Sequence, residues 1–197
     1  NIILIIEPDS IPNSITNKGQ GGCTDVTLDT YSQGVNYALT QFSSLSNCTL
    51  YMDAGHGGWL GWQDNGTTYA QFVKDNNWSQ YLRGFATNTS NYQQLGNGAC
   101  EIDLNGTYND FLNTIKANTD GCGYDPCGLI NQYNAATSEL NYCQLLQFFF
   151  KGQTFKSDDG KPHFVIDTGR NGNPDARTGE EACKVWCNVN NARFGKN

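Results

Sequence analysis

The chain has 197 residues, enough for one domain with a substantial core, and we treat residues 1–197 as a single domain. Its net charge of −7, from 12 basic and 19 acidic residues, argues against a nucleic-acid partner, whose phosphates it would repel. Every apolar run is shorter than the roughly 20 residues of a membrane-spanning helix, so no membrane partner is expected.

The first half of the chain alternates strand-like and helical segments. Residues 2–6 form an apolar, Ile-rich run typical of a parallel strand buried on both faces. Residues 25–42 repeat apolar side chains at helical spacing. A second strand is predicted over 48–52, a weaker helix around 69–73, and a third strand over 81–85.

The second half contains an excursion at about 93–162 that is rich in Gly, Asn and Cys. Two short helices are expected inside it, around 111–115 and 140–149. A fourth strand follows over 163–166, and a final helix is predicted over 180–189. Strands that alternate with helices indicate parallel β/α units and therefore an α/β fold.

Polar side chains follow the predicted strands at equivalent places. Asp9, Asp53 and Asp167 each come directly after a strand, and Asn88 follows the third strand. In β/α barrels the carboxyl ends of the strands form the active site, so these side chains are expected to share a pocket. An aspartate at such a place is also a common helix N-cap or turn former, and the sequence leaves that alternative open for each one.

The segment YMDAGHGGWLGW, residues 51–62, predicts a carbohydrate site. Trp59 and Trp62 lie among glycines that allow close backbone approach. An indole stacks on the apolar face of a sugar ring, and side chains such as Asp53 and His56 bind its hydroxyls. Burial of both tryptophans in the core is the alternative.

Glycoside hydrolysis requires a protonated carboxylic acid and a second carboxylate. Asp9 is the candidate acid, because desolvation at the end of an apolar strand disfavours its charged form. Asp53, on the next strand, is expected to add like-charge repulsion in the same direction.

The sequence resembles the glycoside hydrolase family 6 cellulases. The stretches that carry the resemblance are IIEPDSIPNSITN (5–17), YMDAGHGGWLGW (51–62), RGFATNTSNY (83–92), FVIDTGRNG (164–172) and VWCNV (185–189). Their order and approximate spacing match, although the excursion has no recognised counterpart. The resemblance implies a distorted parallel β/α barrel that cleaves β-1,4-glucan with inversion, and neither a metal nor another cofactor.

The resemblance also implies roles for individual residues. Asp9 matches the catalytic general acid, and Asp53 matches a pocket aspartate near the cleaved sugar; both are predicted to be catalytic. The predicted substrate-binding residues are His56, Trp59, Trp62, Asn88, Asp167, Arg170 and Trp186.

Some parts of the family pattern are expected outside residues 1–197. These are an aspartate that supports the general acid and a later aspartate that is the usual candidate base. The chain is therefore expected to be the middle of a catalytic domain and its barrel to be incomplete. The alternative is a non-catalytic carbohydrate-binding or structural relative; an esterase is disfavoured because no G-x-S-x-G motif occurs.

Eight cysteines indicate an oxidising compartment and therefore a secreted protein. Their spacing matches no strong zinc pattern. The resemblance implies that Cys23 and Cys187 bond partners outside the chain. The other six could form three internal bridges, and proximity alone favours Cys122–Cys127.

Five N-x-[ST] sequons agree with secretion. A glycan at Asn88 would block the expected cleft. N-glycans are therefore expected at the other four sequons, which are Asn47, Asn65, Asn77 and Asn105.

Overall fold

The computed structural model describes residues 1–185 and 189–195, which contain a four-stranded parallel sheet flanked by helices. The strands lie in the order β1-β2-β3-β4. Their bounds are Ile2–Ile6 (β1), Cys48–Asp53 (β2), Gly84–Thr87 (β3) and His163–Ile166 (β4). The predicted α/β fold is confirmed, and within the described residues the sheet is open.

The described residues also form seven α-helices. Their bounds are Ser10–Thr16 (α1), Asp25–Ser43 (α2), Gly57–Leu60 (α3), Gln63–Asp75 (α4), Tyr108–Lys116 (α5), Glu139–Phe149 (α6) and Glu180–Lys184 (α7). The four helices predicted before residue 150 are confirmed. The prediction over 180–189 was too long, because α7 ends at Lys184, and part of that range lies outside the described residues. None of the described helices is long and apolar enough to cross a membrane.

The third strand begins at Gly84 and not at residue 81. Trp78–Gln80 form a short 3-10 helix whose last turn closes at Tyr81, so the chain becomes extended only afterwards. Trp78 is fully buried, and its ring packs edge-on against Phe72 of α4 at a centroid distance of 5.5 Å. Burial of the whole indole in the core anchors this turn.

An aromatic core connects the sheet to the excursion. The ring centroids of Phe85 in β3 and Phe150 lie 4.4 Å apart, and Tyr69 of α4 contacts both rings edge-on. Tyr142 and Leu145 of α6 belong to the same buried cluster. The excursion therefore packs into the core of the sheet through α6.

The first strand is more exposed than its sequence suggested. Ile2 and Ile3 are 49% and 60% exposed, so the prediction of a strand buried on both faces was wrong. The reason is position, because β1 is the edge of the sheet within the described residues and pairs only with β2. An apolar edge of this kind is a pairing surface.

The disulfides differ from the one that proximity favoured. Cys100 bonds Cys122, and Cys127 bonds Cys183, so the Cys122–Cys127 prediction was wrong. Cys122 and Cys127 each bond a cysteine that is distant in the sequence and that the fold brings close. The second bridge ties the excursion to α7.

The prediction of three internal bridges was also wrong. Two disulfides form among the described residues, and the remaining described cysteines are free thiols. These thiols are Cys23, Cys48 and Cys143. Cys187, expected to bond a partner downstream, lies outside the described residues.

Removing the bridge to α7 should cost more stability than removing the other bridge. The residues joined are 56 apart for Cys127–Cys183 and 22 apart for Cys100–Cys122. The chain-entropy relation assigns about 4 and about 3 kcal/mol to loops of these sizes. Urea unfolding of the two double Cys→Ser variants checks this, and a larger loss from the shorter loop would contradict it.

Candidate active site

Asp9 lies on a strained turn immediately after β1. Glu7 and Asp9 have φ angles of 49° and 70°, in the left-handed region that residues other than glycine rarely adopt. Asp9 occupies the N-cap position of α1, as the plainer alternative allowed, but its side chain makes no capping hydrogen bond. Burial raises the pKa of Asp9, and the Asn13 side chain partly opposes this effect. A raised pKa favours the protonated form that a general acid needs.

Asp53 ends β2 and is completely buried. Its carboxylate accepts hydrogen bonds from the Asp9 amide (3.0 Å), the Gly55 amide (3.3 Å) and the Thr89 hydroxyl (2.6 Å). Burial raises the pKa of Asp53 in spite of these donors, and the charge of Asp9 adds to the increase. The structure thus brings Asp9 and Asp53 together, as the strand-end pattern predicted. Sequence reasoning missed Thr89, which carries no signal beyond its place after Asn88.

His56 begins the tryptophan-bearing loop and is 7% exposed. It caps α3, because its Nδ1 atom accepts a hydrogen bond from the Gly58 amide at 3.1 Å. Burial, followed by the positive charge of Arg177, lowers the pKa of His56 to about 4. The imidazole is therefore neutral from mildly acidic pH upwards.

Trp59 and Trp62 are both half-buried, so neither lies fully in the core. The Trp59 indole donates to the Thr16 hydroxyl at 3.2 Å, and the Trp62 indole donates to the Gly58 carbonyl at 3.2 Å. Trp59 packs against the edge of the core with part of its ring open. This placement leaves indole surface available for a ligand.

Asn88 follows β3 but is fully buried, which differs from an exposed cleft residue. Its amide nitrogen donates to the Asp167 carbonyl (2.9 Å) and to the Asn171 side chain (3.0 Å). Its side-chain oxygen accepts from the Gln93 amide at 2.7 Å. Because these contacts enclose the side chain, its geometry suits holding the loops after β3 and β4 together.

Asp167 and Arg170 follow β4 and are both half-buried. The Asp167 carboxylate accepts from the Gly169 amide at 2.7 Å, the turn-forming contact that the plainer alternative allowed. Arg170 donates to the Asn88 carbonyl (2.7 Å) and the Asn91 carbonyl (2.9 Å). Trp186, also predicted to bind substrate, lies outside the described residues.

Arg177 is a site residue that sequence reasoning missed. Its guanidinium lies 5.4 Å from the centre of the Tyr92 ring, and it donates to the carbonyls of Tyr92 and Cys183. Burial lowers the pKa of Arg177, but a guanidinium remains charged at all ordinary pH values. No motif of the sequence marked this arginine.

A cavity of about 660 Å³ adjoins the His56 loop. Its walls include the side chains of Gln93, Gln132 and Arg177 and the Cys127–Cys183 disulfide. Asp9 lines a different groove, between α1 and α2. Of the predicted site residues, His56 lines the cavity and Asp9 lines the groove, so the two do not share one opening. Nowhere in residues 1–185 and 189–195 do three or more His, Cys, Asp or Glu side chains group as metal ligands.

Comparison with known proteins identifies the class. The sequence profile of the glycosyl hydrolases family 6 matches residues 1–197, so the chain belongs to this family. It is 34% identical to 1,4-beta-D-glucan cellobiohydrolase C of Emericella nidulans over 199 aligned residues. That alignment covers 99% of this chain but 36% of the relative, so the chain spans about a third of the relative's length.

Solved structures agree with the family assignment. The catalytic core domain of the cellobiohydrolase Cel6A from Chaetomium thermophilum is 31% identical, with a TM-score of 0.64, and the match covers 98% of this chain and 45% of that one. A mutant of Cel6A from Humicola insolens, in complex with methyl-tetrathio-alpha-d-cellopentoside, is 28% identical with a TM-score of 0.61. That match covers 90% of this chain and 41% of the other. The described sheet is accordingly part of the distorted β/α barrel of this family.

Proposed function

We propose that this chain supplies the general acid and part of the substrate cleft of a secreted, inverting hydrolase of β-1,4-glucan. Family membership and the cellobiohydrolase relatives support this proposal. The single observation that carries it is the position of Asp9, on a strained turn at the carboxyl end of β1, linked to buried Asp53.

Asp9 would act as the proton donor. Its carboxyl group protonates the glycosidic oxygen as the bond to the anomeric carbon breaks, and water attacks that carbon from the opposite face. Asp53 acts beside it, because its buried carboxylate accepts from the Asp9 amide and so holds the turn that carries the acid. Burial raises the pKa of Asp9, which favours the protonated form that donates.

The substrate-binding roles follow from exposure and chemistry. Trp59 and Trp62 stack on glucose rings with their open indole surfaces. The Nδ1 atom of neutral His56 accepts from the Gly58 amide, so its Nε2–H group donates to a sugar hydroxyl. We propose that Asp167 and Arg170 also bind the glucan, and that Trp186, which lies outside the described residues, stacks on a glucose ring. Asn88, being enclosed, positions the loops that carry Asp167 and Arg170.

We also propose secretion with N-glycans on exposed sequons. Asn47, Asn77 and Asn105 are exposed and can accept a glycan. Asn65 differs, because it is half-buried and its side-chain nitrogen donates to the Trp59 carbonyl at 3.0 Å. A glycan replaces one of the two hydrogens on that nitrogen, so Asn65 is a less accessible acceptor than the three exposed asparagines, and its glycan stays a prediction.

The test is hydrolysis of a soluble cello-oligosaccharide by the full-length protein, with the product anomer followed by NMR. Inversion predicts that the α-anomer appears first and then mutarotates. Initial β-anomer would contradict the mechanism. Binding of the oligosaccharide without cleavage would show that the protein is a carbohydrate-binding relative.

A further inference from the structure

The tryptophan-bearing loop, residues 54–62, is held by hydrogen bonds from side chains of the excursion to its backbone carbonyls. Tyr142 donates to the Ala54 carbonyl and Tyr108 to the Gly61 carbonyl at 2.6 Å. Asn134 donates to the Gly57 carbonyl at 3.0 Å. The loop carries His56, Trp59 and Trp62, and side chains of the excursion organise its backbone. The family profile matches residues 1–197, so the expectation that the excursion lies outside the resemblance was wrong.

Glycine is required where loop and excursion meet. A Cβ atom on Gly57 would lie 2.9 Å from the Ala136 Cβ, and one on Gly61 would lie 2.4 Å from the same atom. Real side chains do not approach so closely, so the two backbones are in direct contact. The loop backbone at Gly57 and Gly61 therefore packs directly on Ala136 of the excursion.

Glu139, at the start of α6, makes the contact that is chemically unusual. Its Oε1 atom accepts a hydrogen bond from the Gly57 amide at 2.7 Å, across 82 residues of sequence. The side chain is completely buried. Among the described residues, its Oε2 atom and the nearby Thr87 hydroxyl have no hydrogen-bond partner of standard geometry, and no described cation forms an ion pair with the carboxyl group.

We propose that Glu139 is a positioning residue that holds the tryptophan-bearing loop as a neutral carboxylic acid. In that form the carbonyl oxygen accepts from Gly57, and the acid hydrogen is available to the Thr87 hydroxyl. Both otherwise unpartnered oxygens are then satisfied. The ionised form would leave an unpaired charge in the core, a costly arrangement that opening of the loop to water relieves.

The groups that face Glu139 agree with the neutral form. Burial raises the pKa of Glu139 to about 8, against opposition from the Gly57 amide, the Thr87 hydroxyl and the charge of Arg177. The charge of Asp53 raises it further. The other titratable neighbours, Tyr142 and Cys143, both have raised pKa values through burial and are uncharged.

This arrangement makes the loop sensitive to pH in a defined window. The ordinary pKa of a glutamate is 4.5, and the value in the closed loop is about 8. The closed loop therefore retains a proton that the open loop loses, and the opening equilibrium should rise by up to about tenfold per pH unit between these values. Below 4.5 both forms are protonated, and above about 8 both are ionised, so the equilibrium levels off at each end.

The experiment is hydrogen exchange of the peptide that contains residues 54–62, measured from pH 5 to 9 on the full-length protein without ligand. The ratio of exchange rates between wild type and Glu139→Gln removes the intrinsic pH dependence of exchange. Because glutamine keeps the Gly57 contact and cannot ionise, this ratio should rise by up to about tenfold per pH unit to about pH 8 and then level off. Glu101 is an exposed glutamate of the same excursion and serves as the control. The ratio of exchange rates between wild type and Glu101→Gln should stay constant from pH 5 to 9.

A constant ratio for Glu139→Gln would overturn the proposal. If that variant fails to fold, a ¹³C NMR titration of the Glu139 carboxyl in the wild type decides instead, with an apparent pKa near 8 expected and one near 4.5 contradicting it. Cello-oligosaccharide binding, which rests on the proposed function, should weaken from pH 5 to 8 more in the wild type than in Glu139→Gln. Absence of binding in both would refute the proposed function, while the exchange ratio would still decide the role of Glu139.

Discussion

Asp9→Ala should lower kcat for cello-oligosaccharide hydrolysis by about 10²- to 10⁴-fold, the contribution typical of a positioned general acid. The substrate-binding residues do not depend on the Asp9 side chain, so KM should change little. The link to Asp53 also survives, because it is made by the Asp9 backbone amide and not by the carboxylate. Steady-state kinetics of the full-length protein measure both constants.

The leaving group provides a sharper criterion for the role of Asp9. A substrate whose leaving group is already a weak base, such as a nitrophenol, needs little protonation, so Asp9→Ala should lose much less activity on it than on an oligosaccharide. Asp29→Ala, an exposed aspartate of α2, is the matched control and should retain full activity on both substrates. Equal losses on both substrates would assign Asp9 to a role other than proton donation.

The strand-end aspartates were predictable because the signal is local. An apolar run followed by a polar residue places that residue at the carboxyl edge of a parallel sheet, whichever strands lie beside it. This logic located Asp9, Asp53 and Asp167 correctly at the edge. It could not indicate that β1 pairs with β2 alone among the described residues, because the number of neighbours of a strand is a property of the whole sheet.

Other features depend on contacts that no local pattern encodes. Glu139 follows Ser138, which caps α6, and a glutamate in the first turn of a helix normally lies at the surface. Only the packing of α6 against the loop buries it. The contacts of Arg177 and the Cys127–Cys183 bridge were also not predictable from a local pattern, since each joins segments that are distant in sequence.

The same distinction explains why Asn88 was expected in the cleft and found in the interior. Its place after β3 correctly predicts that it lies beside the residues that follow β4, since its side chain donates to the Asp167 carbonyl. Whether the side chain points to solvent depends on Gln93 and Asn171, which close over it through hydrogen bonds. Strand-end position therefore predicts which residues surround a site, and packing decides which of them are open to a ligand.

Gly84→Ala should destabilise the protein by about 3 kcal/mol or more, because β3 and β4 have no room for a methyl group at this position. A Cβ atom there would lie 1.8 Å from the His163 carbonyl oxygen and 2.5 Å from the His163 amide nitrogen. Both atoms belong to the backbone, so the strands must separate. Their separation would also displace Asn88 and Asp167, which follow them, so any residual folded protein should bind sugar weakly.

Gly34→Ala provides the matched comparison for that loss. Gly34 lies within α2, and a Cβ atom there meets nothing within 4 Å. Alanine should therefore stabilise the protein by about 1 kcal/mol through helix propensity alone. Urea unfolding of both variants measures the difference. Equal midpoints for the two variants would show that the close approach of β3 to β4 at Gly84 does not constrain the sheet, and with it the edge on which the proposed site is built.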